Sequence, residues 1–331
     1  MTTQTDDRTR VSIRDSADFL SLIPYVLGYQ PDERLVFLVL EGKRVELTGA
    51  MPLAALQEPD AARHSVLSAL ERFTNPHVML ACWSANEDLA DEALAMAEVW
   101  VGPERVLDSV SVQPERWHSR SGEGNGRWGS TAELAATSAA AQAVVAGLVA
   151  LPSREAAVAV VAGPGEDCPQ PVERWCLDAE DELAALSWGE WDAEALDVHH
   201  RLLAACSHDE PIKPEDLARL AVLSGEVNAL DKLLLCIGRR TAADCAELWA
   251  RVVGQTPDDW AHGPLMMLGF SAWINGDGAV MVACIERARR IDRSSVWVNT
   301  LDDMNRHAVP PQLWEDLRAQ EVFGLASPAA A

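Results

Sequence analysis

A continuous apolar run, Leu35-Val-Phe-Leu-Val-Leu40, decides the fold of the first half of this sequence. An uninterrupted apolar run of this length is typical of a strand that is buried on both faces. The segment Glu41-Gly42-Lys43 follows as a turn, and a second strand is predicted from Arg44 to Leu53. Two strands joined by so short a connection predict an antiparallel hairpin.

Helices and further strands are predicted on either side of this hairpin. Before it, a helix is expected with Ser16 as its N-cap and Gly28 at its end, since glycine readily adopts the left-handed conformation there. A loop, 29–33, leads into the hairpin. After it we expect a helix over about 60–73, a strand over 77–83, a helix beginning at Asn86 and a strand over 105–112. This alternation predicts parallel neighbouring strands joined by crossover connections.

Residues 113–129 show no periodicity and are predicted to form a loop. The segment Ser130-Thr-Ala-Glu133 has the pattern of a capping box that opens a helix reaching about Ala150. A further short helix is expected to start at Pro152-Ser153. The stretch from Gly163 to Pro171 is rich in proline and glycine and is predicted to be a linker.

The remainder of the chain is predicted to be helical. Leucine, alanine and tryptophan recur there at helical spacing, and no convincing strand is found. Segments 263–274, 279–291 and 295–306 are separated by short turns, which indicates a helix-turn-helix pair of the kind found in repeats. The expected fold is therefore an α/β domain, residues 1–165, with a mixed sheet containing the hairpin and parallel strands. An all-α helical domain, residues 166–331, follows it.

The composition indicates a folded protein with an acidic surface. The chain has 331 residues, of which 48% are hydrophobic, and a formal net charge of -24. This charge argues against nucleic acid and anionic membrane surfaces as partners, since both attract Lys and Arg. The N-terminal residues are polar, and no apolar run reaches the roughly 20 residues of a membrane helix. Together with scattered cysteines that fit reduced thiols, these features predict a cytoplasmic protein.

Three segments of the sequence carry a resemblance to a known family. They are Ala17-Asp-Phe-Leu-Ser-Leu-Ile-Pro-Tyr-Val-Leu-Gly-Tyr-Gln-Pro31, Ala146-Gly-Leu-Val-Ala-Leu-Pro-Ser-Arg154 and Gly269-Phe-Ser-Ala-Trp-Ile-Asn-Gly-Asp-Gly-Ala279. Together they resemble an actinobacterial domain-of-unknown-function family, number four-one-nine-two. The resemblance covers most of the chain and implies no particular activity. Two departures from the family pattern are Arg34, where the family has Ser, and the lack of Cys after Arg116-Trp117.

The loop over 113–129 is the main candidate site. It has a small excess of positive charge in an otherwise acidic chain, and arginine and tryptophan together suit an anion or a planar group. If it leaves the carboxyl end of a parallel strand, it lies where open α/β sheets bind ligands, next to the turn over 28–33. The alternative is a solvated connection whose tryptophans pack on the domain. The candidate ligand-binding residues are Arg116, Trp117, Arg120, Arg127, Trp128, Tyr29 and Asp32.

Other motifs carry less weight. Gly124-Asn-Gly-Arg-Trp-Gly129 matches the G-x-G-x-x-G pattern, but no acidic residue follows at the required distance, so a flexible glycine loop is favoured. His199, His200, Cys206 and His208 lack the spacing of a zinc site, and His199 falls on an apolar helix stripe that favours a place in the core. No nucleophile motif is found. The sequence predicts neither a metal nor a cofactor.

Two functions are compatible with these observations. The favoured one is a cytosolic binding or scaffold protein, with a protein partner on the C-terminal helices and a small anionic ligand at the Arg/Trp loop. The alternative is an enzyme that acts on a phosphorylated or carboxylated small molecule at Arg116-Trp117. The sequence does not decide between an enzyme and a non-enzyme.

Overall fold

The computed structural model describes residues 13–42, 44–120, 126–165 and 171–326, with side chains described as far as residue 319. The chain divides into two compact units. The first unit comprises residues 1–157 together with 306–308, and the second comprises 158–305 together with 309–331. Each unit is described separately below.

The first unit combines a sheet with helices. Its strands are β1 (Arg34–Glu41), β2 (Arg44–Pro52), β3 (Pro76–Trp83), β4 (Val106–Val112), β5 (Arg116–Ser119) and β6 (Trp128–Ser130). Its helices are α1 (Ser16–Leu27), α2 (Pro59–Leu70), α3 (Glu87–Val101), α4 (Ser138–Val145) and α5 (Arg154–Val158). A 3₁₀ turn over Thr131–Ala136 precedes α4.

The strands form one mixed sheet in the order β2-β1-β3-β4-β5-β6. The predicted hairpin is confirmed, since β1 pairs antiparallel with β2. β3 and β4 are parallel and are connected through α3, as expected of a strand-helix-strand unit. The expectation that β2 and β3 would be parallel neighbours was wrong, because β1 lies between them and runs antiparallel to both. An apolar strand such as β1 gains most burial in an interior position, with helices on both faces.

Two apolar cores lie on opposite faces of the sheet. On one face, α2 and α3 cover alternate residues of β1 and β3, including Leu35 and Leu80. On the other face, α1 covers the intervening residues, including Val36 and Trp83. This alternation follows from the two-residue side-chain period of a strand.

The structure corrects two details of the N-terminal helix. Asp15, not Ser16, is the N-cap, because its carboxylate accepts a hydrogen bond from the Asp18 amide at 3.0 Å. The Ser16 hydroxyl instead donates to the buried Asp108 carboxylate, which also accepts from Ser119 Oγ at 2.7 Å. These bonds connect α1 to β4 and β5. Gly28 ends α1 in the left-handed conformation, as predicted, with φ of 79°.

The prediction of an unstructured loop over 113–129 was wrong. Residues 116–119 form β5, which pairs antiparallel with β4, and β6 pairs antiparallel with β5. Residues 121–125, which include the first glycine of the G-x-G-x-x-G pattern, lie outside the described residues. The predicted capping box also fails, because Ser130 accepts from the Ala132 amide and opens only a 3₁₀ turn. Thr137 then caps the separate helix α4.

The second unit is built from helices. In chain order they are α6 (Val172–Leu183), α7 (Trp188–Ser207), α8 (Pro214–Leu223), α9 (Val227–Leu235), α10 (Ala242–Gln255), α11 (His262–Asn275), α12 (Gly278–Ile291), α13 (Val296–Arg306) and α14 (Pro311–Ala326). The predicted absence of strands holds for the residues of this unit that the structure describes. The helices expected over 263–274, 279–291 and 295–306 are confirmed as α11, α12 and α13. Part of the predicted linker, 166–170, lies outside the described residues.

A buried arginine stabilises the second unit. Arg287 on α12 is only 5% exposed, and its guanidinium contacts the Asp258 carboxylate at 2.7 Å. It also donates to the carbonyl oxygens of Val161 at 2.9 Å and Thr256 at 3.0 Å. A Cβ on Gly163 would approach this guanidinium to 2.5 Å, so the glycine leaves space for the arginine. Arg287 therefore holds the segments around Val161 and around Thr256 to Asp258 against α12.

The core of the second unit also contains a histidine without a hydrogen bond. His199 on α7 is fully buried, and neither ring nitrogen has a partner among the described residues. Its ring stacks on that of Trp249 on α10, with 5.8 Å between centroids. Burial lowers the pKa of His199 to about 4, and the neighbouring His200 adds to the shift. The prediction of a core histidine is confirmed, and the imidazole is neutral at neutral pH.

Candidate functional site

The carboxyl ends of β3 and β4 lie side by side, with Trp83 paired in register with Val112. From these ends the chain continues through Ser84-Ala85 into α3 and through Gln113-Pro114 into β5. Such divergence at the carboxyl edge of parallel strands leaves a crevice, which is where open α/β sheets bind ligands. The structure has a cavity of about 560 Å³ at this edge.

Six short segments of the first unit form the walls of this edge cavity. They are part of α1, the lead into β1, the end of β3, the end of β4, the 3₁₀ turn, and residues just before α5. The lining residues are Leu20, Ser21, Pro24, Tyr25, Gln30, Pro31, Asp32, Trp83, Ser84, Ala85, Val112, Gln113, Pro114, Thr131, Leu134, Ala135, Ala150, Pro152 and Ser153. Most are apolar or aromatic, as in most small-molecule sites.

The lead into β1 is held in place by backbone and side-chain hydrogen bonds. The Gln30 amide donates to the Leu151 carbonyl at 2.8 Å, and the Leu151 amide donates to the Gly28 carbonyl at 2.9 Å. Glu33 has a φ of 47°, in the left-handed region that side chains other than glycine seldom adopt. In this conformation its carboxylate accepts from Ser84 Oγ at 2.9 Å and from the Ala85 amide at 3.1 Å. The turn is thus tied to the end of β3.

Several polar side chains of the lining already have partners. Ser21 Oγ donates to the Asp18 carbonyl, and Thr131 Oγ1 donates to the Pro114 carbonyl. Ser84 is bonded to Glu33, and Ser153 accepts from the Ala156 amide. These groups shape the cavity without offering their full hydrogen-bonding capacity to a ligand.

Three polar side chains of the lining have no such partner. Among the described residues, the Asp32 carboxylate, the side-chain carboxamide of Gln30 and the Tyr25 hydroxyl take part in no hydrogen bond or ion pair. Asp32 and Gln30 are exposed, and Tyr25 is partly buried. A ligand in the edge cavity can bind them without breaking an internal contact, which would otherwise cost free energy.

Arg116 on β5 and Arg120, which directly follows β5, are paired with carboxylates of α3. Arg116 Nη2 lies 2.8 Å from Glu87 Oε2, and its Nε donates to Gln113 Oε1 at 3.1 Å. Arg120 lies 3.4 Å from Asp91 and 3.5 Å from Glu98. Neither arginine lines the edge cavity. Carboxylates of α3 therefore neutralise the positive charge on which the anion hypothesis was based.

The aromatic residues of the same hypothesis have different environments. Trp117 is 7% exposed and belongs to the core under α1. Trp128 is 53% exposed, stacks on His118 with 4.0 Å between ring centroids, and lies beneath the Arg116 guanidinium. Arg127 is exposed, and its carbonyl accepts from the Ser119 amide. The structure thus brings Arg116 and Trp128 together, but does not join them to the edge cavity.

The other two candidate residues predicted from the sequence, Tyr29 and Asp32, belong to the turn over 28–33, which borders the edge cavity. Tyr29 is 4% exposed, with the Arg34 guanidinium 5.8 Å from its ring centroid. Asp32 lines the cavity. Sequence reasoning missed Tyr25 and Trp83 as candidate site residues. Trp83 could have been found from its place at the end of a strand that was expected to be parallel.

A comparison with family models identifies the relationship of the chain. The model described as a domain of unknown function (DUF4192) matches residues 17–312. The chain belongs to this family. The resemblance inferred from the sequence is therefore confirmed. No match was found among curated proteins or among solved structures.

Two of the segments that carried the family resemblance contribute to the edge cavity. Residues of 17–31 form its α1 wall and the lead into β1, and residues of 146–154 include Ala150, Pro152 and Ser153 in its lining. The remaining segment, 269–279, joins α11 to α12 in the second unit. There Asp277 is the N-cap of α12, since its side chain accepts a hydrogen bond from the Val280 amide at 3.1 Å.

The part of this DUF4192 chain that the structure describes has no group of three or more potential metal-binding side chains. Cys82 is fully buried on β3, and burial together with Glu33 and Asp91 raises its pKa to about 12. A protonated, inaccessible thiol is a poor nucleophile. None of the helices described is both long enough and apolar enough to span a bilayer.

Proposed function

We propose that this protein is a binding protein whose first unit holds a small organic ligand in the edge cavity. The observation that carries the proposal is a cavity of about 560 Å³ at the carboxyl ends of two parallel strands. Its volume falls within the roughly 300–1,000 Å³ range of small-molecule sites. The binding role expected from the sequence is kept, but the proposed location is now the cavity and not the Arg/Trp loop.

The chemistry of the lining supports a ligand with both apolar and polar parts. Tyr25, Trp83 and several proline side chains offer rigid apolar surface. Asp32, Gln30 and Tyr25 add hydrogen-bonding groups that lack partners among the described residues. Apolar walls with a few well-placed polar groups are the usual design of a small-molecule site.

The enzymatic alternative has less support from the geometry. Arg116 and Arg120 would have to release their α3 carboxylates before they could bind a phosphate or carboxylate. The protein partner expected on the C-terminal helices remains a prediction, as does the cytoplasmic location. Trp249 and Trp273 of the second unit are 0% and 8% exposed and belong to its apolar core, so they offer no surface to such a partner.

The proposal can be tested with a cavity-filling variant and a matched control. Ala135 and Ala136 are adjacent exposed alanines of the same 3₁₀ turn, but only Ala135 lines the edge cavity. A fragment library is screened by saturation-transfer NMR against the wild type, Ala135→Trp and Ala136→Trp. We expect fragments that bind the wild type and Ala136→Trp but lose binding to Ala135→Trp. Fragments that bind all three proteins equally, or a screen without binders, would overturn the proposal.

A further inference from the structure

We propose, on the basis of the ligand-binding function above, that the edge cavity selects organic cations, in particular molecules with an ammonium group beside an apolar body. Three features of the cavity favour such a ligand: the negative charge of its lining, its aromatic residues and an Asp32 carboxylate that has no partner among the described residues.

The lining of the edge cavity is negative. Among the described residues of the lining, Asp32 is the only charged side chain, and none is a lysine, arginine or histidine. The adjacent Glu33 adds a second negative charge beside the cavity, where it is held by Ser84 and Ala85. The Arg34 guanidinium lies over the ring of Tyr29 and is not part of the lining. An anionic ligand would therefore meet repulsion, and a cation would meet attraction.

The carboxylate of Asp32 is available for this contact. It has no ion pair and no hydrogen bond within the described part of the chain. An ammonium group donates up to three hydrogen bonds, and a carboxylate accepts them without a change in its own protonation. Gln30 and Tyr25 supply further oxygen acceptors in the same lining. The unpaired groups of the cavity thus include several acceptors suited to a positively charged donor.

The aromatic residues favour the same ligand class. Tyr25 and Trp83 both line the cavity, and the faces of aromatic rings attract cations through their quadrupoles. A metal ion would need several oxygen ligands, whereas the lining has one carboxylate. An organic ammonium uses both the carboxylate and the rings, and its apolar part occupies the remaining volume. This combination distinguishes an organic cation from a hydrated metal ion.

Three probes of similar size test the charge preference. They are 2-phenylethylammonium, the neutral 2-phenylethanol and the anionic 3-phenylpropanoate, whose dissociation constants are measured by NMR titration at low salt. We expect the ammonium to bind about tenfold more tightly than the alcohol, from one exposed ion pair and ring contacts together. The anion should bind most weakly. Added salt should reduce the preference.

Two variants assign the preference to Asp32. Asp32→Asn removes the only charge found among the described lining residues, so the ammonium should lose most of its advantage over the alcohol. Asp60→Asn is the matched control, since Asp60 is an exposed carboxylate on α2 that does not line the cavity. It should leave the preference unchanged. Because Asp32 is exposed and has no described partner, its variant should fold normally, as thermal unfolding will show.

The possible failures are distinguishable. If ammonium and alcohol bind equally and Ala135→Trp abolishes both, the cavity binds ligands but the cation preference is wrong. If the anion binds most tightly, or if no probe binds although screened fragments do, the cation preference is likewise overturned. If nothing binds in a manner sensitive to Ala135→Trp, the proposed function itself fails.

Discussion

Buried His199 should make the second unit sensitive to mild acid. The imidazole is fully buried on α7, with no hydrogen-bond partner for either nitrogen among the described residues. Its pKa is lowered by burial to about 4 in the folded protein, from a usual value of 6.5. The perturbation that tests this is the substitution His199→Phe, which keeps a ring beside Trp249 but cannot titrate.

The sign and the size of the effect follow from proton linkage. Above pH 6.5 the imidazole of His199 is neutral in both the folded and the unfolded protein, and the free energy of unfolding is not reduced by its titration. As the pH falls through 6.5 toward 4, the unfolded chain binds a proton that the folded protein does not, so stability is lost. A shift of this size corresponds to about 3 kcal/mol in total. About 2 kcal/mol of that loss falls between pH 7 and pH 5.

The assay is urea unfolding at several pH values, followed by circular dichroism. The free energy of unfolding of the wild type should fall more steeply between pH 7 and pH 5 than that of His199→Phe, by about 2 kcal/mol. His200→Gln is the control, because His200 is exposed and its loss leaves the buried imidazole in place. If the free energy of unfolding depended on pH equally in the wild type and His199→Phe, the buried imidazole would not be the cause of the acid sensitivity.

Two further substitutions test packing in each unit. Gly129→Ala should lower the free energy of unfolding in urea by about 1–3 kcal/mol, because the new Cβ would overlap the Trp117 indole. The control Gly49→Ala lies in the same sheet with open space around it and should cost less than about 1 kcal/mol. Equal effects of the two substitutions would contradict the close packing at Gly129. Arg287→Met should cost about 2–4 kcal/mol, because it leaves the buried carbonyl oxygens of Val161 and Thr256 without a hydrogen-bond donor, whereas the largely exposed Asp258 carboxylate becomes solvated. A thermal midpoint equal to that of the wild type would show that these hydrogen bonds do not stabilise the unit.

Patterns local in the sequence predicted most of the elements. The apolar run in β1, the glycine at the end of α1 and the Asp277 cap before α12 each act within a few residues. β5 and β6 were missed because they are short, polar and stabilised by pairing across the sheet. The position of β1 between β2 and β3 likewise depends on contacts between distant segments.

The candidate site was only partly predictable for the same reason. The expectation that the turn over 28–33 lies at a sheet edge led to Asp32, which lines the edge cavity. Arg116 and Arg120 were interpreted as an anion site because nothing near them in the sequence indicates their partners. The α3 carboxylates that pair with them, Glu87 and Asp91, each lie 29 residues earlier in the chain. Tyr25 was missed because a single tyrosine in an apolar helix is typical of a core residue. Charge compensation across elements becomes visible only when the elements are placed.

Binding of an organic cation in the edge cavity can be measured residue by residue in a ¹⁵N NMR titration with 2-phenylethylammonium. We expect backbone shifts to concentrate at Asp32, Ser84 and Gln113, which line the cavity, and to leave Arg120, which is paired with α3, unchanged. Shifts centred on Arg116 and Arg120, or the absence of saturable shifts, would contradict it.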